Sequence, residues 1–326
     1  MPRGSSTANP SRTSSTRQTV GHSGTLAEPS GKTLTDDKIA RIWDNLPFAT
    51  RHSLLAEQVI LSIKVIDPAC GSGHFLLAAA RRLAKELAKI RTGEEEPAPS
   101  EYRKALRDVV RNCIYGVDKN PLAVELCKVA LWIESHAEGK PLAFLDHKIK
   151  CGDSLVGVFD LDVLKEGIPD EAFEAVAGDD KKLATQLRQR NRNERRNKWQ
   201  YALPFEGILQ DLAQTMLDLT ETPDDTPEQV REKERRFAAL QEKGSDWWQT
   251  QTLCHLWTAA FFAEIKPENL QRIPTSSAVF NFMRSQGAVR GDVIGYAWEL
   301  AQRHRFFHWA LEFPDVFAKG GFDVVL

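Results

Sequence analysis

Residues 65–76 decide the fold, and they read Val-Ile-Asp-Pro-Ala-Cys-Gly-Ser-Gly-His-Phe-Leu. Residues 62–67, which lead into this stretch, are β-branched and mostly apolar, as expected for a short buried parallel strand. Gly71 and Gly73 then allow backbone amides to approach a ligand closely where the strand turns into a helix. Alanine and leucine residues predict that this helix runs over residues 75–90. The stretch therefore predicts a strand, a ligand-binding turn and a helix in direct succession.

The same alternation continues downstream. Residues 102–111 predict a helix, and residues 113–118 (Cys-Ile-Tyr-Gly-Val-Asp) predict a second strand. Pro121 suits the first turn of a helix that runs to about residue 136. Residues 148–151 predict a third short strand. Strands that alternate with helices are typical of a doubly wound parallel sheet, so the expected fold class is α/β.

The middle of the chain has a different pattern, and residues 159–305 are predicted to form a large, mainly helical insertion. Residues 160–180 carry eight acids and one lysine, whereas residues 181–198 carry eight bases and one glutamate. Residues 226–229 (Thr-Pro-Glu-Gln) predict a helix start with a capping threonine. Six large apolar residues fall at helical spacings and are predicted to be core: Trp247, Trp248, Leu253, Trp257, Phe261 and Phe262.

Composition limits the classes of protein. A chain of 326 residues suggests about two domains, and its 42% hydrophobic and 27% charged residues are ordinary values for a globular protein. These values exclude a wholly disordered chain, a collagen-like fibre and a membrane protein. The 43 basic and 45 acidic residues provide no overall basic field that would attract nucleic acid, so such binding must come from local patches.

The cysteines indicate a compartment. None of the five forms a Cys-x-x-Cys pair, so neither a disulfide framework nor a structural metal site is expected. A reducing cytoplasm is the simplest location.

The beginning of the chain is predicted to be a disordered leader and lead-in over residues 1–45, because serine, threonine, glycine and proline dominate residues 1–32. Three arginines precede the first acid, Glu28, which keeps an organelle transit peptide as the alternative.

The residues around the first turn indicate the ligand. A nicotinamide or flavin site needs a third glycine, but Leu76 occupies that position. The carboxylate of Asp67 instead suits a ligand that carries an amino group. S-adenosylmethionine has such a group, together with a carboxylate for the amides of the turn.

Residues 67–73 (Asp-Pro-Ala-Cys-Gly-Ser-Gly) resemble the S-adenosylmethionine motif of amino-group DNA methyltransferases. The resemblance implies a Rossmann-like class I methyltransferase fold, of which this chain contains a partial sheet. It implies that Asp118, at the end of the second strand, accepts hydrogen bonds from both ribose hydroxyls, and that Asp153 reads the adenine edge. The expected cofactor-binding residues are Asp67, Pro68, Ala69, Cys70, Gly71, Ser72, Gly73, Phe75, Asp118, Lys119, Asn120, Asp153 and Ser154.

Residues 308–326 resemble the approach to the catalytic strand of large adenine-N6 DNA methyltransferases of the restriction–modification and phage-exclusion (BREX) types. In that family Phe-Asp-Val-Val-Leu, here residues 322–326, begins a buried strand and runs into Gly-Asn-Pro-Pro-[Trp/Tyr/Phe]. That motif would follow Leu326, so no catalytic residue is assigned within the chain. The family's usual upstream Thr-Pro segment is also absent before Asp67.

The resemblance therefore implies the cofactor-binding portion of a DNA adenine-N6 methyltransferase that needs no metal. Its core would comprise residues 46–158, with residues 306–326 returning to that core. Duplex DNA is the expected substrate of the complete enzyme. This portion alone is expected to be inactive, and a complementary C-terminal polypeptide is a possible partner.

Two other classes of function stay open. One is a non-catalytic remnant that binds a cofactor or a partner, and the other is a methyltransferase that acts on RNA, protein or a small molecule. The basic run at residues 188–198 has two interpretations, a DNA-phosphate contact or a solvated helix face paired with the preceding acids.

Overall fold

The computed structural model describes residues 48–196 and 205–326. Contacts divide the chain into two units, Met1–Leu54 and Leu55–Leu326. Of the first unit only residues 48–54 are described, and they are helical. The predicted disordered leader therefore lies outside the described residues.

The α/β part follows the predicted order of strands and helices. Ser62 ends a helix rather than beginning a strand, so the first strand is shorter than predicted. The second predicted helix is longer, since it begins at Pro99. The elements are α1 (Phe48–Ser62), β1 (Val65–Asp67), α2 (His74–Thr92), α3 (Pro99–Cys113), β2 (Ile114–Asp118), α4 (Pro121–Glu134) and β3 (Ile149–Cys151).

Helices make up most of the chain between β3 and the last strand. Among the described residues of this stretch, three short 3₁₀ segments accompany them, at Leu161–Glu166, Asp170–Phe173 and Gln286–Ala288. The helices are α5 (Lys181–Arg196), α6 (Phe205–Glu221), α7 (Pro227–Leu240), α8 (Asp246–Ala259), α9 (Ser276–Arg284), α10 (Gly291–His304), α11 (Trp309–Glu312) and α12 (Pro314–Phe317). None of the helices in the described ranges has the length and hydropathy needed to cross a bilayer.

Two predictions for the helical region can be compared with the structure. The helix start at Thr226 is confirmed, because Thr226 and Gln229 form a reciprocal capping box at the start of α7. Of the six predicted core residues, Phe261 is 41% exposed, so that assignment was wrong. The reason is that α8 ends at Ala259, and Phe261 lies in the turn that follows.

The sheet is parallel and has the strand order β3-β2-β1-β4, where β4 is Val324–Val325. Ile66 pairs with Tyr115 on one side and with Val325 on the other. Asp323 anchors β4, because its carboxylate accepts a hydrogen bond from Lys64 N at 2.7 Å while its own N–H donates to Lys64 O at 3.0 Å.

The strand predicted within residues 322–326 is present, and it forms an exposed edge of the sheet. Val324, Val325 and Leu326 are 41%, 67% and 45% exposed. The strand forms one edge of the sheet, and in the described parts of the chain no further strand pairs with it. An edge strand is covered on fewer sides than a central one, which explains the exposure.

Apolar side chains cover both faces of the sheet. On one face, Leu76, Leu106 and Leu131 belong to a buried cluster formed with α2, α3 and α4. On the other face, Ile66 and Tyr115 of the strands pack with aromatic residues from the end of the chain, such as Phe313. Helices on both faces confirm the predicted doubly wound α/β architecture.

Two arginines of α3 connect the α/β part to the helical region. Arg111 donates hydrogen bonds to Thr220 O at 3.0 Å and to Thr222 O at 2.6 Å, at the C-terminal end of α6. Arg107 donates to Asp224 O at 2.9 Å. Carbonyl groups at the end of a helix have no partner within the helix, so the Arg111 guanidinium supplies donors to the end of α6.

A buried histidine pair lies at the junction of α8 and α11. Val158 N donates to His308 Nδ1 at 3.0 Å, so the ring hydrogen of His308 is on Nε2. That hydrogen is donated to His255 Nδ1, 2.8 Å away. Burial lowers the pKa of His255 to about 3 and holds the pKa of His308 well below its ordinary value. Both rings are therefore neutral in the folded protein.

We expect this pair to make stability depend on pH. As pH falls below about 6.5, histidines of the unfolded chain take up protons that the folded chain excludes. The free energy of unfolding should therefore fall by about 1.4 kcal/mol per pH unit for each buried histidine. In His308→Gln, the amide oxygen accepts from Val158 N and the amide nitrogen donates to His255. Because one titrating group is removed, the change in the free energy of unfolding with pH should become smaller by about 1.4 kcal/mol per pH unit. Urea unfolding between about pH 6 and pH 4 measures it.

His136→Gln, which makes the same substitution at an exposed histidine, is the control. An equal slope for wild type and His308→Gln would contradict the assignment.

Candidate functional site

Three carboxylates follow three neighbouring parallel strands. Asp67 ends β1, Asp118 ends β2, and Asp153 comes two residues after β3. The carboxyl ends of parallel strands meet at one edge of the sheet, where ligands of open α/β folds bind. The structure thus brings together the three acids that the sequence singled out.

The backbone amides of the glycine-rich turn between β1 and α2 donate the hydrogen bonds that hold it. Asp67 Oδ1 accepts from Ala69 N at 3.0 Å, and Cys70 N donates to Val117 O at 2.9 Å. Gly71 and Gly73 have φ angles of 52° and 87°, in the left-handed region that favours glycine. A Cβ on Gly73 would also lie 2.7 Å from Cys127 Sγ, so the position is sterically closed.

A third glycine contributes to the turn, and the sequence analysis missed it. Gly116 lies within β2, and a Cβ there would be 2.9 Å from Leu76 Cδ1 and 3.1 Å from Cys70 Sγ. Close packing of helix on sheet, which a dinucleotide fingerprint achieves with a third glycine in the turn, is here achieved from the neighbouring strand. A glycine inside a predicted strand was the available signal.

Asp118 connects β2 to the turn. Its Oδ2 accepts from Gly71 N at 2.9 Å and its Oδ1 accepts from Asn120 N at 2.7 Å. A carboxylate offers about four acceptor positions, so these two hydrogen bonds leave capacity for a ligand. Asn120 in turn caps α4, since its Oδ1 accepts from Leu122 N at 3.0 Å.

Asp153 is positioned by the segment that returns from the helical region. Asp153 N donates to Arg305 O at 2.7 Å, and Asp153 forms an isolated parallel bridge with Phe306. Arg305 has a left-handed φ of 56° at the end of α10. Gly152 allows the close approach, because a Cβ there would lie 2.5 Å from Phe307 Cδ2. No signal in the sequence predicted this contact.

The Asp153 carboxylate has two partners. Its Oδ2 pairs with Lys119 Nζ at 2.8 Å, and its Oδ1 accepts from Leu155 N at 3.2 Å. The hydrogen bond from Lys119 lowers the pKa of Asp153 below its ordinary value, against an opposing effect of burial. The group is therefore an anion, and an acceptor only, near neutral pH.

The side chains of Cys70 and Ser72 contact neighbouring residues, and Asp67 is, like Cys70, only 5% exposed. Cys70 is buried, and a hydrogen bond with Cys127 together with burial raises the pKa of its thiol. Ser72 Oγ lies 3.0 Å from His74 Nδ1. Phe75, in contrast, is 73% exposed on the first turn of α2.

A cavity of about 830 Å³ adjoins the turn, and Pro68, Ala69 and Ser154 contribute to its wall. The aromatic residues of this wall were not predicted from the sequence. Trp309 is held in place by a hydrogen bond from its Nε1 to Ser154 O at 2.9 Å. The remaining lining residues are Ile66, Leu155, Phe159, Phe317, Gly320, Gly321, Phe322 and Val325.

The basic run of α5 is engaged in ion pairs. Arg192 Nε lies 2.8 Å from Asp170 Oδ2, and Arg188 lies 3.4 Å from Glu174 Oε1. Arg195 also approaches Asp170, at 3.7 Å. These contacts favour the interpretation of a helix face that pairs with the preceding acidic run.

Comparison with known proteins identifies the family. Residues 112–326 match the family described as Eco57I restriction-modification methylase, and residues 49–150 match the MmeI DNA-methyltransferase domain. The chain belongs to the Eco57I restriction-modification methylase family. The resemblance seen in the sequence is thereby confirmed.

This methylase chain matches only a small part of two curated relatives. It is 35% identical over 107 residues to a Methanocaldococcus jannaschii protein named as a type II restriction enzyme and methyltransferase. It is 37% identical over 75 residues to the adenine-specific methyltransferase PglX of Streptomyces coelicolor. These stretches cover 30% and 23% of this chain but only 9% and 6% of the relatives. No solved structure matches this methylase chain.

We expect the two glycines of the turn to differ in their tolerance of a side chain. Gly73→Ala should destabilise the protein by about 2–4 kcal/mol, because a left-handed φ and a clash with Cys127 add. Gly71→Ala should cost only about 1 kcal/mol, because nothing lies within 4 Å of the position that its Cβ would take. Urea denaturation measures both values.

Cys127→Ala provides the control for the clash. Combined with Gly73→Ala it should recover part of the lost stability, since it removes the sulfur but not the unfavourable φ. Equal costs at the two glycines would show that Cys127 does not limit the turn.

Proposed function

We propose that this chain binds S-adenosylmethionine for a DNA adenine-N6 methyltransferase. The observation that carries the proposal is the placement of Asp67, Asp118 and Asp153 around one glycine-rich turn at the carboxyl edge of the sheet. Membership of a restriction-modification methylase family and similarity to a protein named adenine-specific methyltransferase support it.

The residues of this edge fit the chemical groups of the cofactor. Asp67 offers a carboxylate for the methionine ammonium group. Asp118 has acceptor capacity left for the ribose hydroxyls, and Asp153 offers a charged acceptor to the adenine amino group. At Gly71 nothing lies within 4 Å of the Cβ position, so a ligand can approach the backbone there. The matching order of acids along the chain and of groups along the cofactor supports this assignment.

A dinucleotide fits the same edge less well. The position of the third glycine in the turn is Leu76, which is fully buried against Gly116. That side chain fills the space where a dinucleotide-binding helix would approach its strand through glycine.

The cavity beside the turn suits the acceptor of the methyl group. Its volume of about 830 Å³ is within the range of small-molecule sites, and Trp309, Phe159 and Phe322 give it aromatic walls. Enzymes that modify a base of duplex DNA turn that base out of the stack into such a pocket. We place the target adenine there, where aromatic rings can stack on it and exclude water.

The bound cofactor supplies the methyl group for transfer. The chain's own residues hold the donor in place, since catalysis of this kind depends on orienting the reacting groups. The proposal assigns no residue of this chain to the transfer step. The expectations that this portion is inactive alone, and that a complementary polypeptide exists, stay predictions. A role in restriction–modification or phage defence is part of the proposal and rests on the family.

The test is calorimetric titration with S-adenosylhomocysteine, the demethylated product, and with NAD. Wild type should bind the former more tightly. Asp118→Ala should weaken that binding by roughly 1.5–3 kcal/mol, the range for a hydrogen bond to a charged group. Asp292→Ala, which removes an exposed aspartate paired with Arg290 on α10, is the matched control and should bind like wild type.

Because Asp118 also holds Gly71 N and Asn120 N, thermal melting of each variant must accompany the titration. Equal affinity for NAD, or unchanged affinity in a folded Asp118→Ala variant, would contradict the assignment. Methyl incorporation into duplex DNA, RNA and protein, with a complementary polypeptide added, separates the open functional classes.

A further inference from the structure

Lys119 bridges the ends of two strands. It follows Asp118 directly, and its side chain reaches across to Asp153, where Nζ lies 2.8 Å from Oδ2. The backbone on either side is held, since Lys119 O accepts from Cys151 Sγ at 3.7 Å and Asp153 N donates to Arg305 O at 2.7 Å. The lysine side chain is 62% exposed and that of Asp153 is 17% exposed, so the pair opens to solvent.

The pair places a hydrogen-bond donor beside an acceptor. The Watson–Crick edge of adenine has the complementary arrangement, with the N6 amino donor next to the N1 acceptor. Asn and Gln recognise adenine in DNA on the same principle, because an amide also has a donor and an acceptor side by side. An ammonium group 2.8 Å from a carboxylate reproduces this pattern with full charges.

The ion pair need not break for both groups to contact a ligand. An ammonium group has three N–H donors, and each carboxylate oxygen accepts two hydrogen bonds. The Lys119 contact uses one position on Oδ2, and Leu155 N uses one on Oδ1. Each partner therefore keeps capacity for a further hydrogen bond.

We propose that Lys119 and Asp153 together read the adenine of the cofactor, with Lys119 donating to N1 and Asp153 accepting from the N6 amino group. The inference rests on the proposed function, in which Asp153 faces the adenine. Lys119, which follows Asp118, the acid expected to bind the ribose, is then also a residue that determines specificity for adenine.

The proposal has a consequence for related nucleosides. In hypoxanthine the carbonyl oxygen at position 6 would face the Asp153 carboxylate, and the N1–H would face the Lys119 ammonium. Both contacts are repulsive, and a site built to hydrogen-bond one pattern discriminates strongly against its reverse.

The experiment titrates S-adenosylhomocysteine and its inosine analogue, S-inosylhomocysteine, into the full chain. Wild type should prefer the adenosine compound by about 100-fold. Lys119→Met should bind S-adenosylhomocysteine about tenfold more weakly and bind the inosine analogue no more weakly than wild type does. The preference for adenosine should therefore fall, whereas Lys119→Arg, which keeps a charged donor, should retain part of it.

Lys140→Met is the matched control. Lys140 forms an ion pair of the same kind with Asp225, at 2.9 Å and with exposed fractions of 40% and 48% for the two side chains. Its removal should change neither affinity. Melting temperatures should agree among the variants, since both lysines are exposed.

Failure of this inference and failure of the proposed function give different results. Tighter binding of S-adenosylhomocysteine by Lys119→Met would show that the lysine competes with adenine for Asp153 and would overturn the inference. An unchanged preference would also overturn it. If wild type binds neither compound, the proposed function itself fails.

Discussion

The hydrogen bond from Gly71 N to Asp118 is the interaction on which the candidate site depends. It ties the turn after β1 to the end of β2, at 2.9 Å, and the adjacent bond from Cys70 N to Val117 O reinforces it. Glycine is required on both sides of this contact. Gly73 avoids Cys127 Sγ, and Gly116 makes room for Leu76. The turn therefore keeps its shape only while helix α2 and strand β2 are packed together.

The helical region has a structural role at the same site. After β3 the chain runs alongside the segment that returns from α10, and backbone hydrogen bonds link them. Phe307 N donates to Val156 O at 2.8 Å, and Trp309 N donates to Val158 O at 3.1 Å. The third acid of the site and the aromatic wall of the cavity thus come from two segments that are distant in sequence. The arginines of α3 attach the rest of the helical region to the sheet.

Features that depend on neighbouring residues were predicted from the sequence, whereas features that depend on distant contacts were not. The strand–turn–helix at Asp67 and the capping box at Thr226 were predicted because their signals lie within a few neighbouring residues. The exposure of Phe261 was not, because the spacing of apolar residues does not show what packs against a side chain. The limits assigned to the core, insertion and return segments stay predictions.

By itself, the sequence determined the order of strands and helices, the glycine-rich turn and the three strand-end acids, since local backbone preferences and hydrophobic patterning dictate these features. Tertiary structure alone decided that Lys119 pairs with Asp153, that Arg305 holds the backbone of Asp153 and that Trp309 joins the cavity wall. Lys119 and Asp153 are 34 positions apart in the sequence, Asp153 and Arg305 are 152 positions apart, and Ser154 and Trp309 are 155 positions apart. Only the folding of the helical region back onto the sheet places Arg305 and Trp309, because no local preference specifies which distant segment will meet a strand end.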